Sequence, residues 1–253
     1  EQLVEVYESK FGCETAGEMQ HHVVREYRSE WRGSAAFEKA FFVDVHGEGS
    51  QEVLAVVCNS AVHVFDVEGG ACKMTVGSKG DKPGQFRSPC GVAFNAAGEM
   101  FVSDTTLNQI LVFNASGEYL RSFGGEGDKE GRFFEPYGLA FTPTGELVVA
   151  DFGNDRVQVV RQDGTFVRAF GSRGDCPGMF KYPSGVAVSD NGNIFIVDLN
   201  GHIQVFDARG VYLRRIGGQG SGQLVRPFFV ALGADGEIFV TDVQKNVVQV
   251  FTM

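Results

Sequence analysis

The chain of 253 residues is 43% hydrophobic and 21% charged, the composition of a folded domain rather than of a disordered segment. Its net charge of −10 repels a phosphate backbone unless the cations gather on one face. No apolar run approaches the ~20 residues of a membrane span, so no membrane partner is expected.

Residues 1–36 are the least regular part. Leu3-Val-Glu-Val-Tyr7 alternates like a strand, and 14–20 reads as a loop. Val23-Val-Arg-Glu-Tyr27 then matches the last strand of later units, Tyr119-Leu-Arg-Ser-Phe123 and Phe166-Val-Arg-Ala-Phe170. Tyr27 stands 10 residues before Phe37, as Phe123 stands 10 before Phe133, so Phe37 holds the place of Phe86, Phe133 and Phe180.

A first, diverged unit near 37–83 has strands expected at 41–45, 53–57, 62–65 and 72–76, and its loop after Cys58 is short and lacks an Asp. Regular units follow near 84–130, 131–177 and 178–221, with a last one near 222–253. Their lead-ins are Pro89-Cys-Gly-Val-Ala, Pro136-Tyr-Gly-Leu-Ala, Pro183-Ser-Gly-Val-Ala and Pro227-Phe-Phe-Val-Ala, with the prolines 47, 47 and 44 residues apart. Asp104, Asp151, Asp198 and Asp242 close the second strands in step. Four short apolar runs separated by Gly, Asn, Ser and Asp turns predict an antiparallel meander. Recurrence at roughly 40–50 residues marks the blade of a β-propeller.

The expected fold is therefore all-β: one domain over 1–253, a β-propeller of four-stranded antiparallel blades. The last unit offers only three strands, at 229–232, 237–241 and 247–251, whereas 23–27 is an orphan fourth strand. The economical inference is that this N-terminal strand closes the ring, removing an exposed sheet edge. Five blades are counted. A sixth would need first and second strands that 1–22 can hardly supply, and six stays open for a longer polypeptide. The crowded inner strands use Gly91, Gly138 and Gly185 for close backbone approach. Phe113, Phe206 and Phe251 are expected to fill the wedges between blades.

Cys13, Cys58, Cys72, Cys90 and Cys176 are odd in number and form no CxxC, which argues against a zinc site and a disulfide framework. A reducing, cytoplasmic compartment is the simpler expectation. No signal peptide is visible, and a start other than Met reads as an excised domain or processed product.

Ala150-Asp-Phe-Gly-Asn-Asp-Arg-Val-Gln-Val159, followed by Gly164-Thr-Phe-Val-Arg-Ala-Phe-Gly171, resembles an NHL repeat. The Gly-x-Phe…Pro-x-Gly-(Val/Leu)-Ala lead-in belongs to the same pattern. The resemblance covers 84–253 well and 37–77 loosely. It implies a propeller, usually of six blades, so a count of five departs from the family. Members include the C-terminal domains of TRIM-NHL ubiquitin ligases, some binding RNA and others proteins. A bacterial sensor domain and an amidating lyase share the architecture, so fold alone does not select a function.

Loops between strands two and three, and between blades, emerge on one face of the ring. The candidate binding residues there are Arg87, Tyr137, Phe152, Arg156, Lys181, His202, Arg226, Phe228 and Lys245. Aromatic and Arg side chains on a shared rim anchor proteins or stack bases. The structural alternative is that Tyr137 and Phe228 plug the central channel while Arg156 pairs with Asp151 or Asp155. The four repeated Asp residues are spread around the ring, so capping their own turns is a better reading than a metal ring. His21, His22, His46, His63 and His202 show no HxH or HExxH spacing, and no GxSxG elbow occurs. Asp44 is the one inner-strand acid, in a unit where it is free to face solvent. Arg173-Gly-Asp175 has counterparts in Lys79-Gly-Asp81 and Glu126-Gly-Asp128, so it is a feature of the interblade turn.

No catalytic residue, metal or small-molecule cofactor is expected. The sequence points first to a non-catalytic scaffold that binds a protein partner, in the manner of substrate recognition by a TRIM-NHL-like ligase. Single-stranded RNA binding through the loop face is the alternative, and a metal-dependent lyase or lactonase the third reading.

Overall fold

In a computed structural model, the described residues are 6–7, 23–27, 40–47, 52–58, 60–67, 71–217, 223–233 and 236–252. The expected loop at 14–20 and the Phe37 position lie outside them. Strands β1 (Val6–Tyr7) and β2 (Val23–Tyr27) come first. The first blade is β3 (Ala40–His46), β4 (Val53–Cys58), β5 (Ala61–Asp66) and β6 (Cys72–Val76). The second is β7 (Pro89–Phe94), β8 (Met100–Asp104), β9 (Gln109–Phe113) and β10 (Tyr119–Gly124). The third is β11 (Pro136–Phe141), β12 (Leu147–Asp151), β13 (Arg156–Val160) and β14 (Phe166–Phe170). The fourth is β15 (Val186–Val188), β16 (Ile194–Asp198), β17 (His202–Phe206) and β18 (Tyr212–Ile216). The last contains β19 (Pro227–Leu232), β20 (Glu237–Asp242) and β21 (Val247–Thr252).

The result is an all-β, five-bladed propeller of antiparallel sheets. The last sheet runs β1-β2-β21-β20-β19, so the N-terminal strand completes the final blade. Val23 pairs with Phe251 and Tyr27 with Val248. The short β1 adds a fifth strand outside β2.

Alternation along each strand sends one row of side chains into each neighbouring blade. Phe86 and Phe113 join blades one and two, their ring centroids 5.5 Å apart. Phe133 fills the next wedge, Phe180 and Phe206 the third, and Leu224 and Phe251 the fourth. The inner strands approach more closely than any side chain would allow. A Cβ on Gly91 would overlap the Tyr137 carbonyl oxygen, and one on Gly138 the Ser184 carbonyl oxygen. Gly185 lies equally tight against the backbone of Phe228 and Phe229.

The inner strands of blades five and one differ from the other three. Blade five carries Phe229 at the place of those glycines. Val43, on the inner strand of blade one, is 61% exposed, whereas Val92, Leu139, Val186 and Val230 at the same register are 2, 5, 5 and 8%. The expectation that inner strands bury both faces therefore holds for β7 and fails for β3. Asp44 does not face solvent: its Oδ2 accepts the Phe94 N–H at 2.9 Å across the seam to blade two. Burial raises its pKa, and that hydrogen bond opposes the rise.

Candidate functional site

The loop face is organised by the aspartates that end each second strand. Asp104, Asp151, Asp198 and Asp242 are fully buried. Asp104 accepts backbone N–H groups from Arg87 at 2.7 Å and Ser88 at 3.1 Å, and from Thr106 and Leu107 in its own turn. Asp151 accepts the Phe134 N–H at 2.8 Å, Asn154 Nδ2 at 2.9 Å and Arg156 Nε at 2.7 Å. Asp242 holds the N–H groups of Val225 and Arg226. The turn-capping reading is thus correct but too small: the same carboxylate also clamps the loop that leads into its blade. These oxygens are occupied by N–H donors, which accounts for the repeated Asp without an ion.

A second device joins the loops of successive blades. Asn108 and Asp155 sit in the left-handed region, at φ 56° and 52°. Asx side chains tolerate that region. Their Oδ1 atoms accept the N–H groups of Glu135 and Tyr182 in the next blade, at 2.7 and 2.8 Å. Glu135 and Tyr182 are themselves left-handed, at φ 51° and 55°. A bulky residue held there stores backbone strain of about 1–3 kcal/mol.

That strain aims a ring. Tyr182 packs on Phe152 with centroids 5.0 Å apart, and Phe152 stacks on Tyr137 at 4.3 Å and 24°. Phe228 meets Tyr137 edge-on at 5.7 Å and 80°. Phe152 opens a single 3-10 turn, Phe152–Asn154, directly after β12. Tyr137 and Phe228 follow the blade-leading prolines of β11 and β19. The four half-buried rings form one ladder across three blades. Tyr137 packs against the core cluster that contains Cys90. Burial drives the Cys90 thiol far up, with the Asp104 charge adding to it, so it is not a reactive thiolate. Burial also pushes the Tyr137 phenol up to about 12. Phe134, Met179, Val225 and Val243 add exposed apolar side chains to the same loops.

The structure thus brings Tyr137, Phe152 and Phe228 together, and it scatters the other candidates. Arg156 is half-buried against Asp151 and also donates to the Lys129 and Arg132 carbonyls at 3.0 and 3.1 Å. Arg87 pairs with Asp81 at 2.7 Å, and Lys245 Nζ donates to the Gln223 carbonyl at 2.7 Å. His202 stands beside Asp198 at the start of β17, and burial lowers its pKa, with the charge of Arg215 adding to the shift. Lys181 and Arg226 are exposed, and among the described residues neither shares an ion pair or a side-chain hydrogen bond. Sequence reasoning missed Tyr182, although Arg226, which holds the same place before the blade-leading proline, was among the candidates. Ser88, Glu135, Tyr182 and Arg226 fill that preceding slot. No group of three or more His, Cys, Asp or Glu side chains gathers to hold a metal among the described residues. No described helix is long and apolar enough to cross a membrane.

Comparison with known proteins agrees with this architecture. The model of the NHL repeat matches residues 135–160 and 180–206, so the chain carries NHL repeats. No curated protein matches the chain. Among solved structures, a nidogen/laminin complex contains a chain 19% identical, with a TM-score of 0.66, over 91% of this chain and 86% of that one. Virginiamycin B lyase from Staphylococcus aureus, solved with quinupristin in a catalytically inactive form, is 13% identical with a TM-score of 0.61, over 88% and 72%. A gluconolactonase from Xanthomonas campestris is 18% identical with a TM-score of 0.61, over 79% and 68%. At such identities the likeness is one of fold.

Proposed function

We propose that this NHL-repeat ring is a non-catalytic binding module that takes a partner protein on its loop face. The observation that carries the reading is the aromatic ladder of Tyr182, Phe152, Tyr137 and Phe228, flanked by exposed Phe134, Met179, Val225 and Val243. Clustered rings on a rigid scaffold are the usual anchors of protein interfaces. A larger ligase-like protein, with this ring as its substrate-recognition end, suits the reading.

RNA binding through the same face is less well supplied. Of the basic candidates, Arg87, Arg156 and Lys245 are already engaged, which leaves Lys181 and Arg226. A phosphate backbone calls for more cations than that. For an enzyme of the lyase or lactonase type, the four repeated carboxylates are taken up by N–H groups.

The test is a crosslinking pull-down with wild type and a Tyr137→Ala/Phe152→Ala variant, scored for both protein and RNA. Proteins captured by wild type and lost from the variant are expected, with RNA at background. Captured RNA whose yield falls steeply with salt, or a protein partner indifferent to the double substitution, overturns the reading. Stoichiometric zinc or calcium in the purified protein favours the enzyme instead.

A further inference from the structure

The ladder has a direction and charged ends. Tyr182 terminates it on one side and is preceded by Lys181; Phe228 terminates it on the other, two residues after Arg226. These are the two candidate cations whose side chains have no partner among the described residues, whereas Arg173 on the outer turn leans toward Asp155. Between them stands Glu135, two residues before Tyr137 and half-buried beside it. Both Glu135 and Arg226 are near enough to act on the Tyr137 phenol, the first raising its pKa and the second lowering it.

We propose that the loop face selects an extended peptide segment with a carboxylate at each end of a short apolar stretch. This rests on the protein-docking reading and specifies its ligand. The charge pattern of the site is positive, aromatic with one central negative, positive. The complementary segment places acids over Lys181 and Arg226 and keeps them away from Glu135, where like charge repels. Four or five residues of extended chain reach roughly 15 Å at ~3.3 Å each. Three ring-to-ring steps of 5.0, 4.3 and 5.7 Å span no more than that. The two acids therefore stand three to five residues apart. The overall charge of −10 does not forbid this, because at physiological salt only charges within about 8 Å act strongly.

A displayed library of random ten-residue peptides tests it, selected on wild type and counter-selected on Tyr137→Ala/Phe152→Ala. The expected outcome is a ladder-dependent set in which two Asp or Glu residues flank two to four apolar ones. Synthetic versions of the winners should lose about tenfold in affinity to Lys181→Glu and to Arg226→Glu, both exposed positions. Ladder-dependent peptides without paired acids, or with basic residues in their place, overturn the charge pattern but leave the docking face standing. A selection with no ladder-dependent peptide overturns both.

Discussion

The two faces of the ring are made from the same repeat and treat their turns in opposite ways. On the face away from the ladder, each turn is closed by its own side chain. Asn114 Oδ1 accepts the N–H groups of Ser116 and Glu118 at 3.1 and 2.9 Å, and Gly117 supplies the left-handed φ of 81°. Asn95 and Asp207 do the same work in other blades. Val67 and Val211 are exposed there, but singly and at separate turns. On the loop face the holding group is buried one layer below, as the strand-ending Asp, and the turn side chains are left for other use. Anchoring from beneath is what lets a surface carry rings and still keep its shape.

The sharpest way to break that contrast is Asp151→Ala. It leaves the Phe134 N–H without its acceptor and takes from Arg156, Asn154 and Gln158 one of their partners, the carboxylate, while their bonds to backbone carbonyls remain. A loss of about 2–4 kcal/mol is expected in urea unfolding, since a buried N–H loses its acceptor and a half-buried guanidinium loses its counter-charge. A loss below about 1 kcal/mol would mean that the loops do not depend on the carboxylate. Gly138→Ala should follow at about 1–3 kcal/mol, because the added methyl meets the Ser184 carbonyl and not a movable side chain. An unchanged urea midpoint would show that the seam can widen freely.

Asp198 sharpens the comparison by lacking what Asp151 has. Blade four supplies His202 where blade three supplies Arg156, and burial raises the Asp198 pKa from 3.8 to about 6 despite its hydrogen bonds. Between those two values the folded protein holds a proton that the unfolded chain has released. Stability from this group is thus fully present below pH 3.8 and is lost as pH rises through 6. The change is of the order of 3 kcal/mol. Urea midpoints across this range should fall more steeply with pH for wild type than for Asp198→Asn, and parallel curves would refute it. The smallest effect is expected on the opposite face. Asn114→Ala should cost about 0.5–1.5 kcal/mol and leave partner binding unchanged.

The architecture was legible because a four-strand unit repeats, and the orphan strand at 23–27 met the unfinished last blade. The seam glycines and wedge phenylalanines were also readable, since both recur at fixed places. Individual side-chain partners were not. For Arg156 the sequence offered both rim chemistry and pairing with Asp151 or Asp155; the structure shows the Asp151 pair, and adds two carbonyl contacts that depend on how the interblade loop folds back. Tyr182 gave no pattern signal, because its role comes from a left-handed backbone imposed by Asp155, 27 residues earlier. The exposed register of Val43 was equally hidden: its strand reads as apolar as its counterparts.

The most direct test is amide hydrogen exchange of the ring with and without a ladder-dependent partner. Slowed exchange confined to residues 132–137, 152–156, 179–184 and 223–229 is the predicted result. Slowed exchange at the turns 95–99, 114–118, 142–146 and 189–193, with the ladder loops unchanged, would contradict it.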